Sequence, residues 1–188
     1  SQHNSLCNFI QKNYIEDLGF DAEKALLINS DEIELAEGKH FSEVFPDFQI
    51  DLSLRYREAK TQAEQLQKDS IFKIDQWCTA YENKIREKGG MGFFLGGIGP
   101  DGHIAFNTRG SAHFSATRLK ETNFETQAVT ATDLGGIEVS RKRLVITIGL
   151  GTLGFNPNNK AIVYAAGEAI AETIKHSLED EPTVIYPA

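Results

Sequence analysis

The chain has 188 residues, of which 40% are hydrophobic and 24% are charged, and its formal net charge is −8 at pH 7. This length and composition suit one globular domain with a hydrophobic core. No apolar run reaches the roughly 20 residues that a membrane span needs, and the N-terminal residues lack the pattern of a signal peptide. The negative charge argues against a surface for nucleic acid or for an anionic membrane.

The apolar periodicity of the first half of the chain predicts mainly helices. A helix capped by Asn4 or Ser5 and closed by Gly19 comes first, followed by a short buried strand at 24–29. The acidic stretch after it, broken by Pro46, predicts a loop or one or two short strands. Two helices, near 53–68 and 71–88, complete this half.

The second half carries the clearest pattern. Four short apolar runs, 91–97, 143–151, 160–167 and 183–188, lack polar alternation, as is typical of parallel strands covered on both faces. An amphipathic helix over 167–180 lies between the last two runs. Strands and helices in this order predict an α/β fold with three layers, Rossmann-like, around a mostly parallel sheet.

The two cysteines, Cys7 and Cys78, are far apart in the sequence and have apolar neighbours. We expect two free thiols and a location in the cytoplasm, where thiols stay reduced.

The loop after the run 91–97 holds the candidate chemistry. Ligands of open parallel sheets bind beyond the carboxyl ends of the strands, and glycines there let backbone N–H groups approach a ligand. Asp101 and His103 follow in the order Asp-Gly-His, a spacing that lets a carboxylate orient an imidazole for proton transfer. The alternative is a plain tight turn in which His103 only caps the backbone. A metal site is disfavoured, because His113 is the nearest further ligand and no ligand spacing supports it.

The segment "GGIGPDGHIAFN" resembles the signature of the glucosamine-6-phosphate deaminase (isomerase) family, which is related to the 6-phosphogluconolactonases. The segments "SATRLKETNFETQAV", "RLVITIGLGTL" and "AIVYAAGEAIAETIKHSLE" resemble later family segments, and "SQHNSLCNFIQKNYIEDL" resembles an earlier one. The resemblance covers most of the chain apart from residues 29–70, which we interpret as an insertion in a single domain.

The resemblance implies ring opening of an amino-sugar phosphate, proton transfer between C2 and C1, and release of ammonia to give fructose 6-phosphate. It implies a sugar phosphate as ligand and no cofactor or metal, and it leaves a homo-oligomer open. His103 would move the proton at the ring oxygen, and Asp101 would assist it. The other implied positions border the substrate (Gly96, Gly97, Gly99, Gly102, Asn107, Thr108, Arg109) or bind the phosphate of an effector (Ser111, Arg118, Lys120). For the basic pair Arg118 and Lys120, a solvated strand end remains the alternative.

Several positions depart from the family pattern. Thr108 and Arg109 stand where the family has Glu and Pro, and Ile170 replaces a basic phosphate ligand. An expected Arg has no clear counterpart, with Thr132 nearest to it and Arg141 or Arg143 as substitutes.

The family's phosphate loop and the Asp that takes the C2 proton are also absent, so we expect a piece of a longer parent chain. Such a piece would expose apolar faces and have little or no activity alone. Two alternatives stay open: a related isomerase or lactonase with another substrate, and a sugar-phosphate sensor without catalysis.

Overall fold

The computed structural model describes residues 6–47, 49–122 and 144–188. Residues 123–143 lie outside the described residues, with part of the segment "SATRLKETNFETQAV" and with Thr132, Arg141 and Arg143. The helices are α1 (Leu6–Ile10), α2 (Phe41–Val44), α3 (Gln62–Glu87), α4 (Leu150–Leu153) and α5 (Ala171–Glu179). The strands are β1 (Phe93–Gly97), β2 (Arg118–Glu121), β3 (Leu144–Thr147) and β4 (Lys160–Tyr164). A π-helical stretch (Gln11–Glu16) continues α1, and 3-10 turns occur at Ala22–Lys24, Ser30–Glu32, Ala36–Gly38, Leu52–Arg55 and Glu168–Ile170.

Helix α3 is a single long helix, so the prediction of two helices over 53–68 and 71–88 is wrong. The side chain of Thr61 accepts a hydrogen bond from the backbone N–H of Glu64 at 3.1 Å and caps the helix there. Asp51 separately caps the 3-10 turn Leu52–Arg55 by accepting from the N–H of Ser53. No glycine or proline follows Thr61 until residue 89, so the helix continues through residue 70 without a break.

The hydrophobic core lies between α3 and the segment before it. Phe45 and Leu54 are fully buried against the apolar stripe of α3, which is formed by Ile71, Ile74 and Cys78. Leu119 of β2 joins the same cluster. Residues 29–70, which we interpret as an insertion, therefore supply much of the core.

The strands form two pairs. β1 and β4 are parallel, with Phe93 opposite Lys160 and Gly97 opposite Tyr164. β2 and β3 are antiparallel. The α/β class is confirmed by the parallel pair and its helices, and three of the four apolar runs contain the predicted strands β1, β3 and β4. Within the described ranges the strands form two separate sheets, and β3 pairs with β2, which the apolar pattern does not predict.

Two predicted strands are turns or extended segments instead. The segment 24–29 has no neighbouring strand in the described part of the chain, and side chains of Asp21 and Asn29 cap 3-10 turns at its two ends. The last run, 183–188, makes only one isolated bridge, from Thr183 to Tyr186. A local hydrogen bond from the N–H of Ile185 to the Thr183 hydroxyl turns the chain there.

The predicted helix over 167–180 is confirmed as the 3-10 turn Glu168–Ile170 followed by α5. The predicted N-terminal helix is confirmed as α1 with its π-helical continuation, and Gly19, just after it, has φ of 68°. Its predicted capping residues, Asn4 and Ser5, lie outside the described residues. Both cysteines are free, as expected. Within the described ranges, the chain contains no helix with the length and apolar character that spanning a bilayer requires.

Candidate functional site

The candidate site begins where β1 ends. The N–H of Gly99 donates to the carbonyl of His103 at 2.9 Å, and the N–H of Gly102 donates to the carbonyl of Gly99 at 3.0 Å. Gly102 has φ of 79°, a conformation that L-residues with a Cβ adopt at a cost. These bonds close residues 99–103 into a tight turn directly after the strand.

Asp101 and His103 meet inside this turn, as the sequence predicts. The Nδ1 atom of His103 forms a short hydrogen bond with Oδ1 of Asp101. Asp101 is 5% exposed and the side chain of His103 is 18% exposed. A Cβ on Gly99 would lie 2.1 Å from Cε1 of His103, so the imidazole packs directly on a backbone that only glycine leaves bare.

The two glycines before this turn pack against aromatic rings. A Cβ on Gly96 would lie 2.4 Å from the Phe94 ring, and one on Gly97 would lie 3.3 Å from the Tyr164 ring. These contacts account for the glycines without any ligand. Their role in substrate binding stays a prediction.

Asn107 joins the end of the turn to β2. Its side chain is fully buried and donates to the carbonyls of Ile104 at 3.0 Å and Ile148 at 2.8 Å. Its Oδ1 accepts a hydrogen bond from Arg118 at 2.9 Å. Ala105, between Ile104 and Asn107, has φ of 52°, which is strained for a residue other than glycine. Asn107 therefore holds a strained segment in place, in addition to any contact with a substrate.

A cluster of two cations and two hydroxyl groups, which we call the cation cluster, lies beside Asn107. It consists of Arg118 and Lys120, neighbours on one face of β2, with Thr108 and Ser111. Lys120 donates to the hydroxyls of Thr108 and, at 2.8 Å, Ser111, and Arg118 donates to Ser111 at 3.2 Å. Both hydroxyl residues are buried. The structure thus brings together the three residues predicted for an effector phosphate.

The electrostatics of the cation cluster favour an anion. Burial lowers the pKa of Arg118. Burial and the neighbouring charge of Arg118 lower the pKa of Lys120, against the attraction of the Asp101 carboxylate. As far as the structure describes the chain, no carboxylate forms an ion pair with either cation, and their hydrogen-bond acceptors are neutral. Two half-buried cations with neutral acceptors are a suitable site for a phosphate group.

The structure shows where the residues that differ from the family pattern lie. The hydroxyl of Thr108 contacts Lys120 and not the imidazole of His103. Arg109 is exposed, with its guanidinium 5.6 Å from the centre of the Tyr186 ring. His113 is also exposed. Among the residues that the structure describes, no group of His, Cys, Asp or Glu side chains is arranged to hold a metal ion.

Two residues that support the site are not predicted from the sequence. The hydroxyl of Thr173, in α5, donates to the carbonyl of Pro100 at 2.7 Å. Nothing in the sequence signals this contact, because 73 residues separate the partners. The second residue is Glu82, which is buried on α3. It lies four residues after Cys78 and three before Ile85, both on the apolar stripe of α3. This helical spacing could have predicted from the sequence that Glu82 is buried.

The carboxylate of Glu82 links α3 by hydrogen bonds to α4 and to the residue before β2. It accepts hydrogen bonds from the N–H and hydroxyl of Thr117 at 3.1 and 2.8 Å, from Thr152 at 2.6 Å and from Arg86 at 2.7 Å. Burial alone would raise the pKa of Glu82, but the hydrogen bonds from Thr152, Thr117 and Arg86 outweigh it and hold the pKa below its ordinary value. Glu82 thereby fixes Thr117, the residue before the cation-bearing strand β2.

Proteins with similar sequences include glucosamine-6-phosphate deaminases from several organisms. The chain is 30% identical over 172 residues to the glucosamine-6-phosphate deaminase of Borrelia hermsii (strain HS1 / DAH). This alignment covers 92% of this chain and 62% of that protein. It is 34% identical over 131 residues to the glucosamine-6-phosphate deaminase of Caenorhabditis elegans, covering 70% of this chain and 49% of the relative. Human glucosamine-6-phosphate deaminase 2 is 47% identical over 76 residues, 40% of this chain and 28% of the human protein. No protein-family model matches the chain.

A solved structure of a glucosamine-6-phosphate deaminase also has a similar fold. The fold is similar to that of a monomeric glucosamine-6-phosphate deaminase of the NagB superfamily, with a TM-score of 0.54 and 28% sequence identity. The match covers 59% of this chain and 45% of the other. The chain spans 62% of the Borrelia hermsii relative and smaller shares of the other two. On these sequence and structural similarities, the chain belongs to the glucosamine-6-phosphate deaminase family.

Proposed function

We propose that the protein converts glucosamine 6-phosphate and water to fructose 6-phosphate and ammonia. The observation that carries this proposal is the Asp101–His103 hydrogen bond, formed in the segment that resembles the family signature. Relatives named glucosamine-6-phosphate deaminase support the reaction type. The chain spans 62% of the length of the first of them, so the activity of the whole protein is part of the proposal.

The geometry of the pair suits proton transfer at the sugar ring. Asp101 contacts Nδ1 of His103, which favours the tautomer with a proton on Nδ1 and leaves Nε2 on the far side of the ring for the substrate. In the proposed first step, protonated Nε2 gives its proton to the ring oxygen as the bond from C1 to that oxygen breaks, and the C1 hydroxyl loses its proton to water as the C1 carbonyl forms. A second base then moves a proton from C2 to C1, while the C1 oxygen takes up a proton from the ammonium group and a C2 imine forms. Water hydrolyses this imine to give the C2 carbonyl and ammonia. The buried Asp101 carboxylate stabilises the imidazolium before it gives up its proton.

The cation cluster extends the proposal to a second ligand. Ser111, Arg118 and Lys120 offer a hydroxyl group and two positive charges within one half-buried site. We assign to them the phosphate of an activating sugar phosphate, separate from the substrate beside His103. The direct contact between Lys120 and Thr108 links this site to the chain segment that follows the Asp-Gly-His turn.

The test compares two histidines of one segment. His103→Ala should lower ammonia release from glucosamine 6-phosphate by about 10²–10⁴-fold, measured on the longest natural form of the protein. His113→Ala, at an exposed position ten residues on, should leave the rate unchanged. Equal rates for His103→Ala and the unmodified protein would contradict the proposal. For the 188 residues alone we expect little or no turnover.

A second candidate function is a sugar-phosphate sensor without catalysis. It is favoured by Thr108, which contacts Lys120 where the family has a Glu that partners the imidazole. Thr cannot stabilise an imidazolium by charge, so the proton relay loses one charge-assisted hydrogen bond. Calorimetric binding of glucosamine 6-phosphate with no ammonia release would support the sensor and exclude the deaminase.

A further inference from the structure

The turn that carries Asp101 is held from outside by helix α5. The Oγ1 atom of Thr173 donates a 2.7 Å hydrogen bond to the carbonyl oxygen of Pro100. Threonine hydroxyls inside helices commonly bond to a carbonyl of the preceding turn. Ser177, one turn further along α5, makes this kind of bond to the carbonyl of Thr173 at 2.9 Å. Thr173 instead reaches a distant loop, and its side chain is buried there.

The carbonyl that Thr173 holds belongs to the peptide group that joins Pro100 to Asp101. Rotation of this peptide plane would turn the backbone of Asp101 and displace its carboxylate from Nδ1 of His103. Pro100 restricts the preceding φ angle through its ring, so the orientation of its carbonyl is the main remaining freedom on that side. The hydrogen bond from the Thr173 hydroxyl fixes the orientation of that carbonyl.

A second contact limits movement on the other side of Asp101. A Cβ on Gly102 would lie 3.2 Å from Cα of Tyr186, so the backbone of the turn packs directly on the segment after α5. The Tyr186 ring stacks on His176 of α5, with ring centres 4.8 Å apart. The N–H of Gly110 also donates to the carbonyl of Val184 at 2.7 Å. Helix α5 and the segment after it therefore contact the turn at Pro100 and at Gly102, and the Thr173 hydroxyl supplies the side-chain hydrogen bond.

We propose that Thr173 is a positioning residue for the Asp101–His103 pair, acting through the Pro100 carbonyl. Its hydrogen bond is to the backbone of the turn and not to the imidazole, so its effect is on where the carboxylate lies. The kinetic consequence rests on the proposed deaminase function, while the consequence for the geometry of the pair does not.

The experiment replaces the hydroxyl group with a methyl group of similar size. In the longest natural form of the protein, Thr173→Val should lower kcat for ammonia release about tenfold, since small displacements of reacting groups have large effects on rate. KM should change less than twofold. The limb of the pH–rate profile that depends on His103 should shift, and so should its titration in NMR spectra of ¹³C-labelled histidine. Thr173→Ser, which keeps the hydroxyl, should restore kcat and the titration.

Ser177→Ala is the matched control, because it removes a hydroxyl from the same helix without touching the turn. It should leave kcat and the His103 titration unchanged. If Thr173→Val does not fold, as judged by circular dichroism, Thr173→Ala takes its place with the same expectations.

The NMR measurement separates this inference from the proposed function. If the unmodified protein releases no ammonia, the deaminase proposal fails, yet a His103 titration changed by Thr173→Val and not by Ser177→Ala still supports positioning. A folded Thr173→Val protein with unchanged kcat and unchanged titration would overturn the inference. Equal changes in Thr173→Val and Ser177→Ala would also overturn it, since they would reflect a general loosening of α5.

Discussion

Helix α3 and the β1–β4 pair use apolar side chains in opposite ways. The apolar stripe of α3 is buried against Phe45, Leu54 and Leu119. All five residues of β4 are exposed, and Leu95 of β1 is 62% exposed although both strands are apolar in sequence. The exposed apolar faces that we predict from the sequence are therefore present in this pair. Their role as a surface for a partner or for a further part of the chain stays a prediction.

The difference separates the source of stability from the place of the chemistry. The core around α3 buries large apolar side chains, and burial of this kind is the main stabilising contribution in folded proteins. The Asp101–His103 turn follows the partly exposed strand β1, and hydrogen bonds and close backbone contacts hold it. Substitutions in the two regions should therefore affect different measurements.

The largest effect on stability is expected for Phe45→Ala. Phe45 is fully buried and lies against Phe41 with ring centres 5.0 Å apart. Removing its ring leaves a cavity and should lower the free energy of unfolding by about 3–5 kcal/mol, measured by urea denaturation. Phe72→Ala, at a 62% exposed position of α3, should change it by no more than about 0.5 kcal/mol. Similar losses for the two variants would show that the core does not lie where the structure places it.

An intermediate effect is expected for Glu82→Gln. The amide keeps the shape of the side chain but presents a donor to groups that already donate to the carboxylate. The free energy of unfolding should fall by about 1–3 kcal/mol at pH 7. Glu87→Gln makes the same charge change at an exposed position of α3 and should be nearly neutral.

The same substitution has a defined pH dependence. The pKa of Glu82 is lowered in the folded protein, so its stabilising contribution is present above the unfolded pKa of about 4.3. The contribution is lost as the pH falls through the lower, folded pKa. The difference in unfolding free energy between the unmodified protein and Glu82→Gln should therefore shrink at acid pH. A difference that stays constant between pH 7 and pH 3 would contradict this role of the carboxylate.

The smallest effect on stability, with a large effect on the site, is expected for Gly99→Ala. The new Cβ would lie 2.1 Å from Cε1 of His103, so the imidazole must move away from Asp101. We expect altered His103 signals in NMR spectra, with a change in unfolding free energy of about 1 kcal/mol or less. At Gly92, just before β1, a Cβ would meet nothing within 4 Å, and Gly92→Ala should leave both measurements unchanged. Unaltered His103 signals in Gly99→Ala would mean that the imidazole does not pack on Gly99.

The site was predictable where its parts are close in sequence. Asp101, Gly102 and His103 are adjacent, and a glycine-rich turn after an apolar strand leaves few ways to arrange them. The same holds for β1, β4 and α5, whose patterns are short and strong. The division of α3 into two helices failed because its capping residue, Thr61, lies within the first of the two predicted helices. The strand over 24–29 failed because apolar content cannot show whether a neighbouring strand is present.

Local patterns and adjacent residues were sufficient to predict the α/β class, the family and the pairing of Asp101 with His103. The contacts of Thr108 with Lys120, of Glu82 with Thr117 and of Thr173 with the Pro100 carbonyl depend on the folded chain. Each of these contacts joins side chains to groups that are distant in the chain, 12, 35 and 73 residues away. These contacts depend on how whole elements pack against one another, and local sequence patterns do not predict that packing.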